Sequence, residues 1–464
     1  MKNHKLFKVI LLSFLFYVIL TWLIPAGSYS GTTFTLGSTI PVGVFDIFKS
    51  ILSTIGTFSV FGVIILVIGG FYGVLNKIDA YSMTVDKVVT RFKNKPNIFL
   101  ILTIVIFLLL SSLFGVFLPL IVLVPFFAAV LLLLGYSKIK TMAATFGSII
   151  VGSIASVYGF FGAGYNSYFF SIKMNEDIFT KILFLLIIGA IYIYFVSFNK
   201  KEKKEKKDKL LKASEVPFYT KVKETKRSNY PLIILLVFML IFVFGGMYNW
   251  KELWNISLFD DIHNSLMGLK IKDYPIIANI IGNIKSYGNW YNYEFGVWLI
   301  ITTILAAWLY NLKVEEYING FVDGVKKMLP VAFVALMANL IFYSMLSYSS
   351  TNISLTITDF ILESNKNFNV FNNVLASLFG SLFYNDYSYL LGNIQSILLV
   401  NDSIYYPIIG IIFTAVHYTV MLIVPTSFVL VSGLKYFDID YKDWIKYIWK
   451  FILAVLVVII AIGL

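Results

Sequence analysis

The chain has 464 residues, of which 59% are hydrophobic and only 13% charged, against roughly 45–50% and 25% in a soluble domain. Its mean hydropathy is +0.83, and its formal charge of +12 is uneven, because twelve basic and five acidic residues crowd into 199–229. These figures exclude a soluble globular enzyme and a disordered chain, and no ~10-residue segments of alternating polarity speak for a β-barrel. Apolar runs close to the ~20 residues that cross a hydrocarbon core of about 30 Å recur from end to end, the pattern of an all-α polytopic membrane protein.

Lys2, Lys5 and Lys8 stand around the start of an apolar run from Leu6 to Pro25. The run is long for a signal peptide and predicts a first transmembrane helix with a cytoplasmic N-terminus in the cell membrane. Gly43–Ser53 predicts an amphipathic helix with Asp46 and Lys49 on its polar side, and Phe58–Leu75 a span returning inward. Asn76–Pro96, with Lys77, Lys87, Arg91, Lys93 and Lys95, reads as a cytoplasmic loop. Asn97–Leu134 is too long for one span, is broken at Ser111-Ser112, Gly115 and Pro119, and has basic flanks on both sides. Two full spans with a short turn would fit, but the expectation is a re-entrant hairpin.

Thr141–Tyr158 leads outward into the glycine-rich run Gly159–Asn166, a poor helix by propensity. Ile178–Phe198 returns to the basic linker 199–229, whose composition is not that of a packed core. A neutral flexible replacement of Lys200–Lys226 is therefore expected to leave solute affinity unchanged. Tyr230–Trp250 goes out, the polar stretch Lys251–Asn292 stays outside, and Phe295–Leu312 comes back.

A repeat then emerges. Gly43–Lys49 and Gly320–Lys326 both read G-x-x-D-x-x-K, and the second is expected to precede a span starting near Pro330. A second broken segment, Asn373–Val400, is interrupted at Phe383–Tyr387. A second discontinuous helix, Tyr405–Leu434, is interrupted at Val424–Ser427, and Tyr447–Leu464 closes the chain. This layout predicts two inverted-topology repeats, 1–198 and 294–464, each with a re-entrant hairpin and a discontinuous helix. They are joined by the linker 199–229 and by a linking helix and outer loop, 230–293. Such repeats mark secondary transporters.

The chain also resembles a known family. Thr21-Trp22-Leu23-Ile24-Pro25-Ala26-Gly27-Ser28-Tyr29 resembles the TW-IIPAGS-F signature of YfcC-type carriers, and Gly69–Lys77 resembles their GGAFGVLNK segment. Val424-Pro425-Thr426-Ser427 and Trp444-Ile445-Lys446 resemble their IPTS and WLK. These carriers belong with the C4-dicarboxylate anaerobic carriers of the ion transporter superfamily, which implies a transporter fold. The departures fall on the site. The family's glutamate-containing first hairpin tip is replaced by Gly115-Val116-Phe117-Leu118-Pro119, and the GDGFTN before IPTS by Val416–Met421, with His417 in place of an Asp.

No nucleotide-binding, metalloprotease or nucleophile-elbow motif is present and there is no cysteine, so no enzyme and no cofactor are expected. Of His4, His263 and His417, the last alone falls at membrane depth. Polar residues placed there are costly and mark solute or ion pathways. The expected substrate-binding set is Ser111, Ser112, Asn166, Asn385, Asp386, His417, Thr426 and Ser427, with no metal site. Asp386 reads either as a counter-ion or as an acid in an outer turn, and His417 either as a proton-coupling group or as a neutral interhelical histidine. The tyrosines beside Asp386 could form a cation–π box.

The leading expectation is a secondary transporter for a small organic solute, an amino acid, including a basic one carried by exchange, with coupling to sodium or protons. A dicarboxylate or short-chain carboxylate carrier is the alternative, and a channel or scaffold the non-transport one. The expected partners are the small-molecule substrate and the lipid bilayer, with no nucleic acid and a homodimer open.

Overall fold

The computed structural model describes residues 5–30, 33–198, 215–221, 227–346, 352–363, 368–398 and 403–463. Among them, six helices are long and apolar enough to cross a membrane: Lys5–Leu23, Pro96–Phe114, Ile178–Phe198, Asn292–Leu309, Ser403–Met421 and Tyr441–Gly463. Two bent pairs raise that number to as many as eight: Val44–Thr57 with Ser59–Leu75 at 57°, and Val314–Met337 with Leu340–Leu346 at 41°. The protein is an all-α polytopic membrane protein. It divides into two compact units, Met1–Val63 with Val89–Val216 and Leu329–Leu464, and Ile64–Val88 with Pro217–Met328.

The first unit holds both broken segments and both interrupted helices. In the first segment, Pro96 opens a 19-residue limb and Gly115, at φ 65°, closes it at Phe114. Proline at a helix start and a left-handed glycine just past its end are the residues those positions favour. The return limb is itself split into Phe117–Ile121 and Val124–Leu133. In the second segment, the limbs Val370–Phe383 and Tyr387–Leu398 have 14 and 12 residues, about 21 and 18 Å at 1.5 Å per residue. Both fall short of a 30 Å core. The first limb of the first segment, about 28 Å by the same rule, is long enough to cross by length and composition alone, while its return limb is in two short pieces.

The first interrupted helix runs through Lys138–Met142, a π turn at Ala143–Gly147 and Ser148–Ile154. It unwinds, then resumes as a second π turn, Phe160–Gly164, and Tyr165–Phe170. The second runs Tyr406–Met421, unwinds through the expected Val424–Ser427, and resumes as Phe428–Phe437.

The Thr21–Tyr29 signature is consumed in closing a loop. Thr21 Oγ1 accepts from the Val42 amide at 3.1 Å and Trp22 Nε1 donates to the Val42 carbonyl at 3.0 Å. Gly27–Ser30 pairs antiparallel with Thr33–Leu36, Tyr29 donates to Asp359, and Thr356 Oγ1 donates to the Pro25 carbonyl at 2.7 Å. The helix Val44–Thr57 buries Ser50 and Thr54 and exposes an apolar face of Val44, Phe45, Phe48 and Leu52.

The second unit is organised by a glycine crossing. Gly69 and Gly73 lie against Gly320 and Gly324, two small-xxx-small pairs face to face. Lys77 extends the contact with an ion pair to Asp323 at 3.7 Å. The two G-x-x-D-x-x-K matches thus take different parts. Asp46 accepts from the Gly43 amide at a helix start, whereas Asp323 pairs with Lys77 inside Val314–Met337, a helix that runs through Pro330. The expected loop 76–96 is largely the helix Asp79–Phe92, because Ala80, Tyr81, Ser82 and Val85 form a buried stripe at helical spacing among the charges.

Most of the basic linker, 199–214 and 222–226, lies outside the described residues. The short piece between them is docked, contrary to its composition. Phe218 is 1% exposed, beside the Tyr72 ring (5.8 Å) and under Lys327 Nζ (5.4 Å). Tyr219 donates to Asp86 at 2.6 Å, and burial together with that carboxylate pushes its phenol up. A neutral replacement of 200–214 is expected to leave stability and solute affinity unchanged. Phe218→Ala is expected to destabilise by about 3 kcal/mol or more, the usual cost of emptying a buried phenylalanine site. Unfolding midpoints of the two variants check both.

Candidate functional site

A closed polar contact in the first unit lies where three elements meet. Asn166, on the resumed half of the first interrupted helix, is 3% exposed. Its Nδ2 donates to Thr414 Oγ1 at 2.9 Å. Thr414 Oγ1 donates to the Tyr387 hydroxyl at 3.0 Å, and that hydroxyl donates to Asn166 Oδ1 at 2.7 Å. Each member gives one proton and receives one, so the ring closes on itself. It joins the first interrupted helix, the second interrupted helix and the return limb of the second segment. Gly410 keeps the ring close: a Cβ there would lie 2.9 Å from Asn166 Cγ.

His417 sits one helical turn beyond Thr414 and is 0% exposed. Its Nδ1 is 3.1 Å from Ser381 Oγ, and its ring lies 5.3 Å from Tyr387 and 5.0 Å from Tyr418. Nε2 is buried without a hydrogen-bond partner. A buried polar atom left unpaired is rare enough to need a reason.

The second tip is tied to two breaks. Asn385 Nδ2 donates to Asn339 Oδ1 at 2.7 Å, at the bend after Met337, and to the Thr426 carbonyl at 3.1 Å. Thr426 Oγ1 is buried without a partner. Ser427 is the cap of Phe428–Phe437, with Oγ 3.4 Å from the Leu430 amide. Asp386 caps the return limb. Its Oδ1 accepts from the Ser388 amide (2.9 Å), Ser388 Oγ (2.6 Å) and the Tyr389 amide (3.4 Å). Among the described residues none donates a hydrogen bond to Oδ2. The tyrosines beside it diverge: Tyr387 enters the ring, and Tyr389 packs its ring on Phe342 at 4.9 Å. They form no box around Asp386.

Ser111 and Ser112 are brought to the first break, away from the ring's hydrogen bonds. Ser111 Oγ donates to the Ile149 carbonyl at 2.6 Å and lies 2.8 Å from Ser153 Oγ. Ser112 Oγ donates to the Ala155 carbonyl at 2.5 Å. The Ser112 carbonyl accepts from the Val157, Tyr158 and Gly159 amides at 3.1, 3.2 and 2.9 Å. Both hydroxyls therefore serve the unwound backbone. At the first tip, where the family's glutamate is absent, an aromatic contact stands. Phe117 lies 5.8 Å from the Phe161 ring and 5.9 Å from those of Tyr418 and Phe428.

A small cavity of about 10 Å³ adjoins the ring, bounded by Ile154, Ala155, Ser156, Asn166, Lys181 and Thr414 among others. That is the scale of a single water, so this cavity is too small for an organic solute in this conformation. Thr414, Asn339 and Lys181 were not among the expected residues. Lys181 carries a signal in the sequence, a cation three residues into the apolar run Ile178–Phe198. Thr414 and Asn339 carry none. Among the described residues no group of three or more His, Asp or Glu is placed to hold a metal.

Comparison with known proteins adds the following. The family model of the C4-dicarboxylate anaerobic carriers matches residues 4–384. The match stops short of Asp386, Tyr387, Thr414 and His417. No curated protein matches the chain. Among solved structures, the YdaH transporter of Alcanivorax borkumensis is similar at 13% identity and a TM-score of 0.41, over 99% of this chain and 96% of that one. MtrF of Neisseria gonorrhoeae, described with a class of antimetabolite efflux pumps, is similar at 12% identity and a TM-score of 0.37, over 100% and 95%.

Proposed function

The chain belongs to the C4-dicarboxylate anaerobic carrier family, and from that premise we propose that this membrane transporter is a secondary carrier of an amino acid. It works by alternating access around the polar junction of the first unit, driven by a sodium or proton gradient or by exchange. The supporting observation is Asp386. Three hydrogen bonds on Oδ1 hold the carboxylate in place, and Oδ2 is left for a ligand. A fixed carboxylate with one vacant oxygen suits a solute ammonium, and it would repel a dianion. The repeated order of broken segment and interrupted helix supports reading the two halves as inverted repeats, the architecture that places solutes at helix breaks.

The competing reading, a dicarboxylate carrier, is favoured by the family's own description. Asp386→Asn separates the two. Asparagine caps a helix as well as aspartate, so the variant removes charge and keeps the cap. Loss of a charge-assisted hydrogen bond of about 1.5–3 kcal/mol lowers affinity roughly 10- to 150-fold. Uptake of alanine and arginine into proteoliposomes is expected to weaken by that factor, while succinate uptake holds or improves. Equal uptake of all three by wild type and variant would remove Asp386 from the site. Collapse of each gradient in turn identifies the coupling ion.

A further inference from the structure

Lys181 is a buried cation with too few partners. It is 5% exposed, on the helix Ile178–Phe198. Its ammonium has three protons to give, and it makes one hydrogen bond, to the Met174 carbonyl at 2.9 Å. The ion pairs among the described residues are Lys5–Asp440 and Lys77–Asp323. The neighbouring acids Asp177 and Glu176 act on it through space, but both are exposed and neither closes an ion pair with it among the described residues. The buried Lys140 shows what a structural lysine does in this fold: it lies over the Tyr136 ring at 5.3 Å and reaches the Ser197 carbonyl at 3.4 Å. Among the described residues Lys181 has no such ring. It lines the small cavity with Ser156, Asn166 and Thr414, at the break of the first interrupted helix.

Burying a charge whose only counter-charges are exposed acids at a distance is expensive, and in a membrane protein a buried ionisable group marks a ligand or ion pathway by default. No other Lys or Arg lines that cavity. From this geometry we infer that Lys181 forms an anion subsite that takes one carboxylate, entering when the junction opens. The inference rests on the transport reading only for the identity of the carboxylate's owner. One cation suits one carboxylate, so the subsite favours a monocarboxylate or an amino acid over a dicarboxylate. The neutral ring of Asn166, Thr414 and Tyr387 forms its uncharged wall.

The test is thermal unfolding of the purified, detergent-solubilised full chain. Wild type, Lys181→Met, Lys181→Gln and Lys181→Arg are heated in sodium acetate, alanine or succinate, against sodium chloride at equal ionic strength. Acetate or alanine is expected to raise the midpoint of wild type by several degrees. Lys181→Arg keeps a shift, and Lys181→Met and Lys181→Gln lose it, with apparent dissociation constants weakened roughly tenfold to hundredfold. Lys181→Met exchanges the charge for a side chain of similar length, so a folded variant that ignores carboxylates is the signature. Two outcomes overturn the subsite: wild type showing no carboxylate shift, or the methionine variant showing the same shift as wild type. Solute flux is scored separately in proteoliposomes. A wild type that is stabilised by carboxylates but moves none of them defeats the transport reading and leaves the subsite standing.

Discussion

Tyr387→Phe is expected to lower the unfolding free energy by about 1–3 kcal/mol while leaving the shape of the junction intact. The substitution takes away one oxygen. Asn166 Oδ1 then has no donor and Thr414 Oγ1 loses its acceptor, both in residues at most 4% exposed. Thr414 can turn its hydroxyl back toward the preceding turn of its own helix, so the asparagine carries most of the cost. If the ring also holds the closed conformation, the same energy shifts the open population by roughly 5- to 150-fold. Accessibility of a cysteine placed at Ser156 to a thiol reagent measures that shift. Tyr389→Phe, two residues on and 42% exposed, is the control and should change neither quantity. Equal behaviour of the two variants would show that the ring contributes nothing.

Much of the architecture was legible because it rests on length and charge. The apolar runs, the interruption at Val424–Ser427 and the amphipathic helix after Gly43 follow from composition along the chain. The ring did not, because its members are 221 and 248 residues apart. Asn166 and Tyr387 drew notice for their local settings, but Thr414 is one threonine in an apolar helix with no local mark. Ser111 and Ser112 stand out in the sequence, but what their hydroxyls bond is not legible there. A serine pair at a break looks the same whether its hydroxyls face a solute or close the backbone. Lys181 stands in the sequence near the start of an apolar run, and only the fold brings it to the cavity beside Asn166 and Thr414. The helix Asp79–Phe92 was read as a loop because its basic residues outweighed a buried stripe of four.

Gly324→Leu and Gly73→Val are expected to abolish folding of the second unit. A Cβ on Gly324 would fall on the Gly69 carbonyl, and one on Gly73 on the Gly320 carbonyl. The obstacle is backbone in both cases, so no rotamer change relieves it. Overpacking costs about 1–3 kcal/mol even where side chains can shift, and here the helices must separate. Gly56 provides the contrast. Nothing lies within 4 Å of a Cβ built there, so Gly56→Ala is expected to be neutral, or stabilising by up to about 1 kcal/mol from helix propensity. Yields of monodisperse protein after solubilisation read out both. A well-folded Gly324→Leu variant would mean that the crossing is looser than described.

The closure of the first break also imposes an order in time. The amides of Val157, Tyr158 and Gly159 find their acceptor in Ser112, 45 residues earlier in the chain for Val157. Left unmet in hydrocarbon, each would cost several kcal/mol. During synthesis the acceptor leaves the ribosome first and is waiting when its donors arrive. These bonds tie the limb to the break, and a chain truncated between them leaves the Ser112 carbonyl without its three donors. A circular permutant that reverses their order would have to hold three bare amides at membrane depth until the limb caught up.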